Sequence, residues 1–561
     1  MGIPDQSAAS PTVRFLPPET QVEKAALFEL PGAHGPGVAG PEAASPVAED
    51  VLAVNEIQGN IVPGFNKDYQ LLLFCSIADA AATKAWLAAV ANEIATASEV
   101  LAFNRLFRQM RDRRGVEAPN LVTTWANLAF SHPGLVKLTP SAAEFLEGAA
   151  FRVGMPARTA LLGDTVDPAG WVVGAEGSVP DVLFIVAGDR VDSVGPEACR
   201  LLGLAAMPAP GEPLGATGLR LMHLDRGAVL PDKGHEHFGF KDGISQPGVR
   251  GRVSEAADDY LTPRLLNPND PQAPFVGKPG QVLVWPGEFV LGYQRQDSRK
   301  PLMPLPALPL TPDWTRNGSY LVFRRLRQDV AAFRRFVREG TGLVRGNPAF
   351  ADMDEARFAA KLVGRWASGA PLARAPKTDD PPLGDDDLAN NHFFFAKATA
   401  AVSADGETVA GSPADPVGLF CPHGGHIRKV NPRDVSTESG SSLKRRLLRR
   451  GLPYGPALPV AAGETSDGVD RGLLFLAYTA QPDSSFELIQ QNWCNDPLQP
   501  EGGGHDPIIG QTAGDGSRTF EITGDGGTRA SLTLPQPWVV PTGGAYFFAP
   551  SIAALKGVLA V

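Results

Sequence analysis

The feature that most constrains this chain is the brevity of its apolar runs. Gln70-Leu71-Leu72-Leu73-Phe74-Cys75-Ser76-Ile77 and Asp181-Val182-Leu183-Phe184-Ile185-Val186-Ala187 are short, apolar and suited to buried strands. The same reading applies to Gln281 to Trp285, Glu288 to Tyr293, Gly318 to Leu326 and Leu473 to Tyr478. Helical spacing occupies Ala80 to Ala102, Val330 to Gly340 (apolar at Val330, Phe333 and Val337) and Phe486 to Trp493. Strands and helices that succeed one another twice predict an α+β protein. With 561 residues, the chain exceeds one ordinary core and predicts two domains.

The 61 Gly and 52 Pro mean that long irregular loops join these elements. Three such loops fall at about 251–280, 370–390 and 500–530. The last carries Gly502-Gly503-Gly504 and reads as a surface excursion or as cover for a site. Residues 1 to 50, rich in Ala, Pro and Gly, read as a loosely packed extension, with order expected from Val51.

Several function classes are disfavoured. A net charge of -10 argues against a nucleic-acid partner. The four Cys are far apart and form no CxxC, which argues against a disulfide framework, a zinc site or covalent heme attachment. No signal segment and no apolar run long enough to span a bilayer are seen, so a cytoplasmic protein without membrane contact is expected.

Three segments carry chemistry. In Gly239-Phe240-Lys241-Asp242-Gly243, a carboxylate sits on a Gly-permitted turn beside Phe238 and Phe240. Desolvation there would tune Asp242 for acid–base work. Taken alone, an Asp-Gly turn that caps its own backbone is the better explanation. In Cys421-Pro422-His423-Gly424-Gly425-His426-Ile427-Arg428-Lys429, a His beside a Gly pair is able to approach a flat cofactor and serve as an axial iron ligand. The third, Arg445 to Pro456, reads as a helix end stopped by Gly451 and Pro453, with an Arg able to stabilise an anion if buried.

Asp, His and Arg in this order resemble the dye-decolourising (DyP-type) heme peroxidases. The family's GxxDG motif is matched at Gly239–Gly243, its proximal-ligand motif at His426-Ile427-Arg428-Lys429 and its distal Arg by Arg449. Further similarity runs through Ile57–Ile61, Pro286–Tyr293, Asn317–Val330, Gly364-Arg365-Trp366, Gly472–Trp493 and Tyr546–Phe548. It covers about 51 to 561 and is nearest to the larger branch with long insertions. Two departures stand out: Gly424-Gly425 replaces a bulkier pair, which would loosen the proximal loop, and Gly451 stands where some compact relatives have Asn.

The resemblance implies two ferredoxin-like domains, 51–250 and 251–561, each an antiparallel sheet with peripheral helices, and one bound heme b. It implies His426 as axial ligand, backed by an unidentified carboxylate, and Asp242 and Arg449 as the catalytic pair. Arg428 is expected at a heme propionate and Gly243 against the cofactor. Leu474 and Leu476 face one way from their strand and Phe475 the other, so one of these two sets walls the pocket. The implied partners are hydrogen peroxide and an aromatic or dye-like donor, oxidised through a ferryl porphyrin-radical intermediate. Self-association into a homo-oligomer stays open, and so does a heme-processing or heme-carrier role on the same fold.

Overall fold

The computed structural model describes residues 10–18, 48–116, 121–144, 148–232, 234–435, 437, 442–512 and 517–561. Its central sheet is built from β1 (Tyr69–Ile77), β2 (Thr124–Phe130), β3 (Val182–Gly188), β4 (Leu219–Ala228), β5 (Ser319–Gln328), β6 (Leu452–Tyr454), β7 (Gly472–Thr479) and β8 (Val539–Ala549). The neighbours run β5-β8-β2-β3-β1-β4-β6-β7, and β7 pairs back onto β5. The eight strands therefore close into a barrel, which leaves these strands no open edge.

Within this barrel, the first four strands lie in the order β4-β1-β3-β2 and the last four in the order β8-β5-β7-β6. Both follow the fourth-first-third-second antiparallel order of a ferredoxin-like unit, as expected. The two seams are thin: Phe548 opposite Phe130, and Tyr454 opposite Gly227.

Alternation along each strand builds two layers. Leu72, Phe74, Ile185, Phe323, Leu474, Leu476, Tyr478 and Phe547 share the core enclosed by the barrel. Leu71, Leu73, Phe184, Val186 and Phe548 share the outer core with Trp86 and Leu87 of α1 (Ala80–Val90) and Leu201 of α3 (Val191–Leu202). Outside the second unit stand α4 (Val330–Val344), α5 (Glu355–Val363) and the wide π-type turns of Asp483–Cys494. Here the outer face is not closed, and a cavity is left against Arg324, Leu326, Leu473 and Phe475.

Four expectations change. The helix expected over 80–102 is two, α1 (Ala80–Val90) and α2 (Ala97–Arg114), because Thr96 and Glu99 form a capping box that starts a new helix. Glu288–Tyr293 is not a strand, since Pro286–Glu288 forms a tight helical turn. Order does not begin at Val51: Val13–Leu16 is a strand. The segment before Gly455 is not a helix end. Leu448 and Arg449 pair with Tyr478 and Ala477 of β7, and Leu452 pairs with Leu474. Gly451 lies so close to β7 that a Cβ would sit 2.3 Å from the Leu474 carbonyl oxygen, which explains the glycine there.

Leu474 is fully buried inside the barrel. We expect Leu474→Ala to cost about 2–5 kcal/mol of stability, read as a lower denaturation midpoint of the apoprotein. An unchanged midpoint would contradict its placement.

Candidate active site

The first wall of the cavity comes from the chain beyond β4. The Glu236 carboxylate accepts from the backbone N–H groups of Phe238 (2.9 Å) and Phe240 (3.0 Å), curling the segment around itself. Phe238 stacks on Phe333 at 4.4 Å. Gly239 (φ 91) and Gly243 (φ 80) take conformations that side chains rarely adopt, and this turns Asp242 onto the cavity. Asp242 Oδ1 accepts from its neighbour Gly243 N–H (2.6 Å) and from Arg449 Nη1 (2.9 Å).

Arg449 is held from both sides. Strand pairing fixes its backbone against Ala477, and the Gln246 side chain both donates to the Arg449 carbonyl and accepts from its N–H, each at 3.3 Å. Arg449 Nη2 also donates to the Ser245 carbonyl (3.3 Å). Burial pushes the Asp242 carboxyl up, but the Arg449 guanidinium and the Gly243 N–H outweigh it and hold the group below the ordinary Asp value. Asp242 is thus a carboxylate at neutral pH, ready to accept a proton.

The second wall is α6 (His426–Val430), which starts at Gly425. His426 Nδ1 bonds Asp506 Oδ2 at 2.8 Å. Asp506 is fully buried, and its other oxygen accepts from the N–H groups of Ile508 (2.8 Å) and Ile509 (3.0 Å). Burial opposes charge on His426, yet Asp506 raises its pKa overall; burial opposes charge on Asp506, yet His426 and the two backbone donors lower it. With Nδ1 engaged, Nε2 is the His426 nitrogen left for the cavity that the residue lines.

Arg428 does not reach the cavity. Two residues along a helix from His426, it points to the other side, where it is fully buried in a two-pronged pair with Glu501 (2.6 and 2.7 Å) and lies over Phe395. Besides Arg449, Arg445 and the carboxylate-paired Arg324 and Lys241, the cavity is lined by the cations Arg365, Arg433 and Arg446. Arg365 and Arg433 donate to backbone carbonyls and share Asn391 Oδ1. Among the described residues none of the three pairs with a carboxylate. Burial pushes Arg365 and Arg446 down to about 10 and Arg433 well below its ordinary value.

The cavity measures about 290 Å³ and is mostly apolar, with Phe475, Phe486, Leu473, Ile427 and Ile509 among its walls. It brings together Asp242, Gly243, His426, Arg449 and Phe475. Leu474 and Leu476 lie on the other face of β7, inside the barrel, because alternate residues point to opposite sides. Asp506 and the three cations were not foreseen as site residues. The Gly502–Gly504 run just before Asp506, and Arg365 within a family-like segment, were their signals.

Residues 56–202 match the family description "DyP dimeric alpha+beta barrel domain", and residues 371–502 match "Dyp-type peroxidase, C-terminal". "Peroxidase 2" of Mycetinis scorodonius is 31% identical over 527 residues, 91% of this chain and 88% of that protein. The chain belongs to the DyP-type peroxidase family. A solved ancestral D-type dye-decolorizing peroxidase is similar with a TM-score of 0.71 and 32% identity, covering 92% of this chain and 100% of that one. A dye-decolorizing peroxidase solved in complex with 2,6-dimethoxyphenol gives 0.68 and 28%, covering 91% and 100%. The chain is therefore a DyP-type peroxidase, and membership implies a heme cofactor. Among the described residues, no helix is long and apolar enough to cross a membrane.

A cation held partly out of water with no anion beside it, as half-buried Arg446 is among the described residues, destabilises a protein until an anion arrives. We expect Arg446→Gln to leave the apoprotein's melting midpoint unchanged or higher, and to speed heme loss from the holoprotein to an excess acceptor globin. A lower apoprotein midpoint with unaltered heme loss would contradict this role.

Proposed function

We propose that this DyP-type peroxidase holds heme b through His426 Nε2 and uses Asp242 and Arg449 to drive peroxide reduction at the expense of phenols or dyes. The residues present fit that cofactor. One imidazole nitrogen is free at an apolar cavity, and its partner nitrogen is bonded to a buried carboxylate, the arrangement that orients a ligating His and raises its basicity. Three guanidiniums without carboxylates line the same cavity and call for anionic groups, which the two propionates of heme b supply. The single observation that carries the reading is the Asp242–Arg449 pair opening onto the cavity that His426 lines.

A heme held here would supply, from iron and porphyrin together, the two electrons that peroxide O–O cleavage needs, to be replaced one at a time by two donor molecules. The protein's part is proton movement and charge. Asp242 accepts the proton of one peroxide oxygen and delivers it to the other, which leaves as water. Arg449 stabilises the negative charge that develops as the bond breaks and needs no reorganisation, since Gln246, Ser245 and β7 already fix it. Asp506 keeps His426 in the tautomer that presents Nε2. Overall, one hydrogen peroxide and two donor molecules, each giving up one hydrogen atom, become two waters and two donor radicals. The likeness to a peroxidase solved with a dimethoxyphenol supports an aromatic donor.

The test is the absorption spectrum of the heme-loaded protein before and after one equivalent of peroxide. His426→Ala should lose or alter the ferric spectrum, and retention of the wild-type spectrum would refute the ligand. Asp242→Asn should keep the ferric spectrum and slow the peroxide step by roughly 10²–10⁴-fold. The acid side of the pH profile carries a sign. Asp242 works as a carboxylate, so activity falls as pH drops through its lowered pKa. Arg449→Leu removes the strongest of the groups that lower it and leaves burial opposed mainly by the Gly243 N–H, so the acid limb should move to higher pH in stopped-flow peroxide kinetics. A limb that moves down or stays would refute the coupling.

A further inference from the structure

Residues 10–18 lie outside both matched family segments. In the fold, Val13–Leu16 pairs antiparallel with Arg529–Leu534, placing Val13 opposite Leu532 and Leu16 opposite Arg529. Thr533 N–H donates to the Thr12 carbonyl (3.0 Å), Val13 packs into the cluster of Phe520, Ile522, Leu532 and Trp538, and Phe15 lies 6.1 Å from Phe350. The partner strand is the outer half of a hairpin whose inner half is Arg518–Thr523.

That inner strand grips the turn that precedes and includes Asp506. His505 N–H donates to the Thr519 carbonyl (2.7 Å), and Glu521 N–H to the Gly503 carbonyl (3.0 Å). Thr519 N–H donates to His505 Nδ1 (3.1 Å). Buried Arg518 donates to the Gly510 carbonyl (2.8 Å), just past Asp506. On its other side the same turn meets the proximal loop. A Cβ on Gly424 would lie 2.5 Å from the Gly503 carbonyl oxygen and 3.0 Å from the Phe520 ring. The Gly424-Gly425 departure therefore does not loosen the loop; it lets the hairpin seat directly against it.

We propose that the N-terminal strand Val13–Leu16 is a positioning element for the proximal pair: it completes the three-stranded sheet that presses the 503–506 turn onto Gly424 and so fixes Asp506 on His426 Nδ1. This rests on the reading of His426 as the iron ligand only for its electronic consequence. The mechanical claim stands on the packing. A three-stranded sheet with one face on a core holds its register far better than an isolated hairpin, so removing Val13–Leu16 loosens the hairpin and with it Arg518–Thr523. A less firmly held Asp506 strengthens the His426 imidazole less, and the iron becomes easier to reduce.

The experiment uses the heme-loaded full chain, a variant lacking residues 1–18, and Val13→Asp, which unseats the strand without shortening the chain should the truncation fail to fold. Hydrogen exchange is followed by mass spectrometry, and the iron reduction potential is measured beside Asp506→Asn. The proposal expects faster exchange in 503–523 and 424–430, unchanged exchange in β1 and β3, and a potential shifted upward in the direction of Asp506→Asn but by less. Unchanged exchange in 503–523 overturns it. So does an unchanged potential in both strand variants where Asp506→Asn shifts it. If Asp506→Asn itself leaves the potential unmoved, the His426 ligand reading fails, and the exchange result still decides the role of the strand. Gly424→Ala should reproduce the exchange pattern from the other side of the contact.

Discussion

The pairing of β7 is the constraint on which the rest of this molecule depends. Its eight residues do three jobs through one backbone. Pairing with β5 closes the barrel. Its inward residues Leu474, Leu476 and Tyr478 fill the enclosed core, while its outward residues Leu473 and Phe475 face the cavity. Its other edge takes Leu448–Arg449 and Leu452–Tyr454, with Gly451 making the close approach. A one-residue slip in this strand would exchange core for cavity and carry Arg449 away from Asp242. The barrel and the distal pair are thus one structural event.

Electrostatics then divides the molecule's buried charges into two kinds. Arg428 with Glu501, Arg324 with Asp164, and Arg325 with Asp225 are paired internally, with several hydrogen bonds each, and serve the fold. Arg365, Arg433 and Arg446 meet no carboxylate among the described residues, and all three line one cavity; Arg518, Lys361 and Lys429, buried on backbone carbonyls elsewhere, show that the fold also holds such cations without a cavity. Buried cations left without anions are costly. Three such guanidiniums on a single, mostly apolar cavity fit the anionic ligand proposed for it. Arg449 stands between the two kinds: it is answered by Asp242, but both open onto the cavity, where a reacting molecule is able to come between them.

Much of this was legible in the chain. Short branched or aromatic runs marked β1, β3, β5 and β7, because a buried strand leaves a compositional trace that survives without context. Asp242 and His426 were legible because their neighbours are glycines whose backbone the chemistry needs. The Arg445–Gly455 segment misled, since its Arg and Leu content suits a helix while its conformation is dictated by the edge of β7, a partner some twenty residues away. Arg428 misled for a simpler reason: proximity in sequence to His426 is not proximity in space when a helical turn points the two apart. The N-terminal strand was hidden by its Pro-rich surroundings, and its pairing partner lies more than 500 residues on.

From the amino acids alone follow the α+β class and, through the family resemblance, the family, the order of the three chemical segments and Asp242, His426 and Arg449 as candidates, because several spaced motifs agree where each alone would not decide. Only the tertiary structure decided that Asp506 backs His426, that Phe475 rather than Leu474 and Leu476 faces the cavity, and that Arg446, Arg433 and Arg365 rather than Arg428 supply its unpaired charge. Each of these is a matter of which side of an element meets which distant neighbour. A strand's parity is decided by the partner it pairs with, and a buried cation is free or answered according to which carboxylate the fold brings beside it.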